Sequence, residues 1–158
     1  MNFGQSLAIY AKKLEKAGFT ENVLYQKILL YFDGVPYLWG GENELGCDCS
    51  GSVCAALSFS SNVFIRETAD YLFKKIFTIT VSNWNSLDEE SYVALFFVNK
   101  EGKAIHVVGY CGNGFFMNVS QREPTKRGNK RTFRELVRMY SKYSYYVRKR
   151  RLSINEYV

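Results

Sequence analysis

The sequence predicts one α+β domain, with N-terminal helices packed on a central antiparallel β-sheet. Three observations predict it. Apolar residues recur at helical spacing early in the chain, at Leu7, Ala8, Ala11 and Leu14, then at Val23, Leu24, Ile28, Leu29 and Phe32. The second half carries short continuous apolar runs bounded by turn residues, which is the pattern of strands. A glycine-rich loop over 37–48 separates the two regions, and no internal repeat or linker is visible across 1–158. At 158 residues and 47% apolar, the chain can bury its own core and is too apolar to be disordered over most of its length.

The elements follow in order. A first helix spans 5–17 and ends at Gly18, a natural C-cap. Thr20 caps a second helix, which Gly34 and Pro36 stop. A third helix covers 49–59. Val53 and Ala56 or Leu57 continue the face of Cys49, while Cys54 lies well round the helix as a small core residue. A further helix is expected over 66–76, and strand character over Phe77–Val81. Tyr92–Val98 reads as a buried strand. Ala104–Tyr110 and Phe115–Ser120 flank Cys111-Gly112-Asn113-Gly114, a hairpin signal. A helix at Phe133–Tyr140 and a strand at Tyr143–Arg148 complete the set. The twelve Tyr and twelve Phe suit a strand-rich core.

Composition narrows the partners. The net charge of +6 is concentrated late, at Lys126, Arg127, Lys130, Arg131, Arg134, Arg138, Lys142 and Arg148-Lys149-Arg150-Arg151. Such a segment either attracts an anionic surface or is a solvated basic face. No nucleic-acid motif accompanies it, so no specific nucleic acid is expected. Cys47, Cys49 and Cys54 fall too close together for a disulfide framework, and with Cys111 they read as reduced thiols. Their spacing is not the paired pattern of zinc sites, so no metal is expected. No window reaches membrane-spanning length, and Met1–Tyr10 lacks the features of a signal peptide, so synthesis in the cytoplasm is expected.

The chemistry centres on Asp48-Cys49-Ser50-Gly51. A thiol in the first turn of a helix meets the positive end of the helix dipole and unpaired amides, which is expected to lower its pKa and favour thiolate. Cysteine catalysis also needs an imidazole and a polar group to orient it. His106 is the sole histidine. Two hairpin registers are open. A three-residue loop at Gly112-Asn113-Gly114 places His106 opposite Ser120, with Asn118 diagonal on the same face. A two-residue Asn113-Gly114 turn places it opposite Gln121 and sends Asn118 to the other face. The first is preferred, because it gives the polar Asn118 a partner. Asp48 either caps the helix or binds a substrate amine. Tyr37 is a candidate to bind a substrate carbonyl or hold an oxyanion beside the Cys49 N–H. Ser50 belongs to the same substrate-side set, and Trp39 with Gly40 and Gly41 shapes a cleft wall. No cofactor is needed for this chemistry.

Taken together, these motifs resemble the NlpC/P60 family of papain-like cell-wall cysteine peptidases. The matching residues are Tyr37, Trp39, Gly40 and Gly41, then Asp48 to Gly51, His106-Val107-Val108-Gly109-Tyr110, the turn at 112–114, and Asn118. Arg66, Thr68 and Ala69, and Ala94-Leu95-Phe96-Phe97, also resemble family segments. The resemblance covers roughly residues 28–122 and implies a papain-like NlpC-type fold. It implies hydrolysis of peptidoglycan stem peptides, usually at the γ-D-glutamyl–diamino acid bond, through a thioester acyl-enzyme. Carried over, Cys49 is nucleophile, His106 base and then acid, and Asn118 orienter. Three departures stand out: the third position is more often His in the family, Cys47 sits where the family often has an apolar or small residue, and 59–92 matches only patchily. The expected partners are stem peptides and, through the basic C-terminal segment, an anionic cell-wall polymer. A lone catalytic domain without a signal suggests first a phage lysin or tail-associated enzyme, reaching the wall by a non-standard release, with an injected effector or a cytoplasmic peptide-recycling enzyme as the alternatives. The competing readings are a CHAP-type N-acetylmuramoyl-L-alanine amidase, a papain-like relative that moves acyl groups or deamidates proteins, and a non-catalytic binding module on the same scaffold.

Overall fold

A computed structural model describes residues 3–43 and 45–151. Helix α1 (Phe3–Lys16) is followed by α2 (Glu21–Leu30), whose N-cap Thr20 accepts from the Val23 N–H. Two short strands, β1 (Glu42–Asn43) and β2 (Gly46–Cys47), pair within the glycine-rich loop, where the sequence offered no strand signal. Helix α3 (Cys49–Ser61) starts at the cysteine and is buried on nearly every side. The helix expected over 66–76 begins later, because Thr68 caps it: α4 (Ala69–Tyr71) runs into a π-helical turn at Leu72–Ile76.

The sheet has six antiparallel strands: β3 (Ile79–Thr80), β4 (Val93–Val98), β5 (Ala104–Gly112), β6 (Phe115–Asn118), β7 (Asn129–Thr132) and β8 (Ser144–Lys149). Their spatial order is β3-β8-β4-β5-β6-β7. Helices α1 to α3 cover one face, where Leu7, Ile28, Leu29, Val53 and Leu57 meet Phe96, Val107 and Met117. Helix α5 (Phe133–Met139) lies over the other, where Leu136 and Tyr140 meet Leu95, Phe97, Val108 and Phe116. Both faces are covered, which is why β4 is one unbroken apolar run instead of an alternating one. Strand β7 escaped sequence reading because Asn-Lys-Arg-Thr on a sheet edge carries no hydrophobic pattern.

The β5–β6 hairpin sets the site and differs from the preferred expectation. Gly112 pairs with Phe115, so the connection is the two-residue turn Asn113-Gly114, with φ of 55° and 84°. Those angles are those of a primed turn, which suits the twist of the strands. The expected three-residue loop is therefore wrong. A β-bulge then skips Cys111, and pairing resumes at Tyr110 with Phe116 and Gly109 with Met117. That one-residue slip restores the register the longer loop would have produced. His106 and Asn118 end on the same face although the turn is the short one. A second irregularity, between the Phe97–His106 and Val98–Ala104 pairs, leaves Ile105 unpaired and half-exposed.

Candidate active site

The start of α3 is built around Asp48, which is 6% exposed. Its Oδ1 accepts from the Gly51 N–H at 2.7 Å and from the Ser50 hydroxyl at 3.2 Å, and its Oδ2 accepts from the Gly40 N–H at 2.8 Å. Arg66 reaches both oxygens through Nη2 at 3.2 Å, the Ser50 hydroxyl through Nη1 at 3.1 Å and Glu42 through Nε at 3.3 Å. Of the two roles open to Asp48, the cap is therefore the one its contacts display. Ser50 is buried, with its hydroxyl engaged inside the same network. Gly51 is required for space: a Cβ there would overlap the Gly41 carbonyl, which itself accepts from the Asp48 N–H at 3.0 Å.

Cys49 opens the helix and is partly exposed. Close packing around its sulfur nevertheless pushes the thiol up to about 11, with Asp48 adding to the rise. The Val107 and Ser50 N–H groups and Arg66 pull the other way without winning. The expected low-pKa thiolate is thus overturned: loss of hydration, aggravated by the adjacent carboxylate, outweighs the helix terminus. His106 is buried, and burial pushes its imidazole down to about 4. The Asn118 hydrogen bond and Glu123 oppose that fall, and Arg122 adds to it. Burial thus disfavours the charged form of both the thiol and the imidazole.

The elements converge on these two groups. The Val107 amide lowers the Cys49 thiol's pKa, so the sulfur lies near β5 at the residue next to His106. The His106 Nε2 lies 2.7 Å from Asn118 Oδ1. Its ring stacks on Tyr140 at 4.5 Å between centroids, with Phe97 beyond at 6.3 Å. Tyr140 is pinned by its hydroxyl donating to Ser120 Oγ at 2.7 Å and by Arg122 lying 4.7 Å over its ring. Burial raises the hydroxyls of Tyr140 and Tyr37, and Cys49 raises both further, so the thiol lies within electrostatic reach of the two tyrosines. Tyr37 is half-buried; Trp39, at 84% exposure, stands clear of packing. Gln121 is exposed, so Asn118 and not Gln121 faces the histidine.

Tyr140, Glu123 and Arg131 were not found by sequence reasoning. Glu123 sits in the polar stretch 121–128, where no periodicity marks a buried carboxylate. Of the late basic residues, Arg148, Lys149 and Arg150 are engaged within the fold, while Lys126, Arg127, Lys130, Arg134, Arg138 and Lys142 are exposed. Lys149 pairs with Glu90 at 2.7 Å and Arg150 with Glu21 at 3.3 Å, and Arg148 lies over Phe73 at 4.2 Å. Cys47 donates to the Asp48 carbonyl at 3.1 Å and Cys54 to the Glu67 carbonyl at 3.5 Å. Among the described residues no group of three or more His, Cys, Asp or Glu is placed to hold a metal ion. None of their helices is long and apolar enough to cross a membrane. A mainly apolar cavity of about 370 Å³ beside α3, lined by Leu7, Ala55, Phe59 and Phe64, includes neither Cys49 nor His106.

The model of the NlpC/P60 family matches residues 34–150, from the turn after α2 through β8. The chain belongs to the NlpC/P60 family. The match runs well past the hairpin and takes in β7, α5 and β8. Among curated proteins, the γ-D-glutamyl-L-lysine dipeptidyl-peptidase of Bacillus subtilis (strain 168) is 36% identical over 86 residues. That alignment takes in 53% of this chain and 27% of the relative, so the chain matches about a quarter of that protein's length.

Solved NlpC/P60 structures share the fold. The NlpC/p60 domain of the peptidoglycan hydrolase SagA superposes with a TM-score of 0.58 at 20% identity, covering 80% of this chain and 97% of that one. NlpC1 of Trichomonas vaginalis gives 0.60 at 20%, covering 84% and 45%. RipD of Mycobacterium tuberculosis, a non-catalytic NlpC/p60 domain protein adapted to peptidoglycan binding, gives 0.59 at 16%, covering 85% and 99%. The NlpC/P60 fold therefore carries both catalytic and binding proteins, and chemistry has to be argued from the site.

Proposed function

We propose that this NlpC/P60 protein is a cysteine peptidase that hydrolyses peptidoglycan stem peptides at the γ-D-glutamyl–diamino acid bond. One observation carries the reading. The only imidazole in the chain is held from behind by Asn118 at 2.7 Å, on the strand whose next amide lowers the Cys49 thiol's pKa. The choice of bond is supported by the curated B. subtilis relative, a γ-D-glutamyl-L-lysine dipeptidyl-peptidase.

The proposed steps follow from the resting state. With Nε2–H donating to Asn118, the His106 Nδ1 lone pair is the base. As the Cys49 sulfur attacks the substrate carbonyl carbon, its proton passes to Nδ1. The oxyanion is held by the Cys49 backbone N–H and the Tyr37 hydroxyl. The imidazolium then protonates the departing amine nitrogen, the C–N bond breaks, and a thioester remains. Water, deprotonated by His106, attacks the thioester and releases a carboxylic acid while the sulfur recovers its proton.

Digestion of purified peptidoglycan followed by mass spectrometry tests this. The wild type is expected to release fragments split after D-glutamate, and Cys49→Ala to release none. Intact stem peptides would mark a CHAP-type amidase instead. Binding to peptidoglycan with no cleavage by the wild type would mark a non-catalytic module.

A further inference from the structure

The polar chain behind His106 does not stop at Asn118. The Asn118 Nδ2 donates to Glu123 Oε2 at 2.6 Å. Glu123 is 1% exposed, a burial that carboxylates tolerate only when paired. Arg131 grips it in a fork, Nε to Oε2 at 2.9 Å and Nη2 to Oε1 at 2.7 Å, and Asn129 Nδ2 adds a contact at 3.3 Å. Arg131 is itself tethered to Glu135 Oε2 at 3.0 Å, and Glu135 closes the capping box of α5 with Thr132. Burial alone would push the Glu123 carboxyl up; the hydrogen bonds from Arg131, Asn118 and Asn129 hold it below its ordinary value.

An ionised carboxylate accepts hydrogen bonds and donates none. Only the NH₂ end of Asn118 can face it, so the amide oxygen must face His106. An oxygen there only accepts, so Nε2 must carry the ring proton and Nδ1 must be bare. Asn118 by itself imposes no such order. With its amide reversed it would offer an N–H to Nε2 and drive the proton onto Nδ1.

We propose that Glu123 is a positioning residue: anchored by Arg131, it sets the orientation of the Asn118 amide and thereby locks His106 in the Nε2–H tautomer. It also puts a fixed negative charge behind the imidazole, the element an asparagine cannot supply. The purpose of this arrangement rests on the peptidase reading above; the arrangement itself does not. When Cys49 passes its proton to Nδ1, the new imidazolium faces an amide oxygen whose far side is bound to a carboxylate, and the charge is stabilised without Asn118 moving.

Because the chain has one histidine, ¹⁵N-histidine labelling reports a single ring, whose protonated and bare nitrogens resonate far apart. The wild type, free of substrate, is expected to show only the Nε2–H form. In Glu123→Gln the residue at 123 can donate or accept, so Asn118 loses its fixed orientation and the ring is expected to show a mixture. Hydrolysis should then lose about 10- to 100-fold in kcat with KM little changed. Combining Glu123→Gln with Asn118→Asp restores an acceptor-only group beside Nε2, and the single tautomer should return. A purely structural Glu123 would lower stability and leave the tautomer as it was. The proposal is overturned if the wild-type ring is Nδ1–H or mixed, or if Glu123→Gln leaves the Nε2–H signature intact. Should Glu123→Gln fail to fold, the tautomer of the wild-type ring decides. A locked ring in a protein that cleaves nothing would sustain this proposal and sink the peptidase reading. A mixed wild-type ring in an active enzyme would sink this proposal alone.

Discussion

Lowering the pH should unfold this protein partly through His106. The imidazole falls from an ordinary 6.5 to about 4 because burial disfavours its charged form. Between those values the unfolded chain holds the proton and the folded chain does not. The unfolded state then binds more protons, so stability rises with pH. The contribution is fully present above about 6.5 and is lost as pH falls through about 4. At roughly 1.4 kcal/mol per pH unit, the loss by about pH 4 is on the order of 3 kcal/mol, a large share of a typical domain's stability. Urea unfolding of wild type and His106→Gln at about pH 7 and about pH 4 isolates it, because carboxylates titrating in the same range largely cancel in the difference. The wild type should lose about 3 kcal/mol more than the variant over that interval. Parallel losses, or a folded-state ring titrating near 6.5 by NMR, would refute the argument that burial governs this group.

Three further outcomes are expected. Cys49, pushed up to about 11, should react with iodoacetamide more slowly than free cysteine near neutrality and speed up steadily into the alkaline range. Mass spectrometry of the modified peptide reads this, and rapid labelling at about pH 6 would show a preformed thiolate. Gly51→Ala drives a methyl into the Gly41 carbonyl and should cost about 1–3 kcal/mol or more by thermal unfolding; an unchanged Tm would contradict the close approach. Arg66→Met leaves the buried Asp48 carboxylate without its charged partner and should cost about 1–3 kcal/mol in urea, with the Gly51 cap contact still present. Equal stability would mean that Arg66 merely decorates the loop.

Much of the fold was legible because local pattern and burial agree there. Leu24, Ile28 and Leu29 form a helical stripe that is buried, and Val93–Val98 is an unbroken run because helices lie on both sides of the sheet. Thr20 and Thr68 cap as their type suggests, although Thr68 cuts short a helix that apolar spacing alone would begin sooner. The hairpin shows where local reading stops. Turn chemistry pointed to Gly112-Asn113-Gly114, but a bulge at Cys111 determined which residue faces His106. A bulge reflects how two strands fit a twisted sheet, and the sequence of the turn does not encode it.

The sequence by itself determined the cysteine at a helix start, the single imidazole available to it and the order of elements that makes their meeting possible. Tertiary structure alone decided the protonation of both groups, because desolvation depends on everything packed around a side chain and reverses what the helix terminus suggests for Cys49. It alone brought Tyr140 onto the imidazole and set Glu123 and Arg131 behind Asn118. A buried carboxylate is recognised only by the donors that surround it, and these come from strands and loops that no spacing along the chain relates.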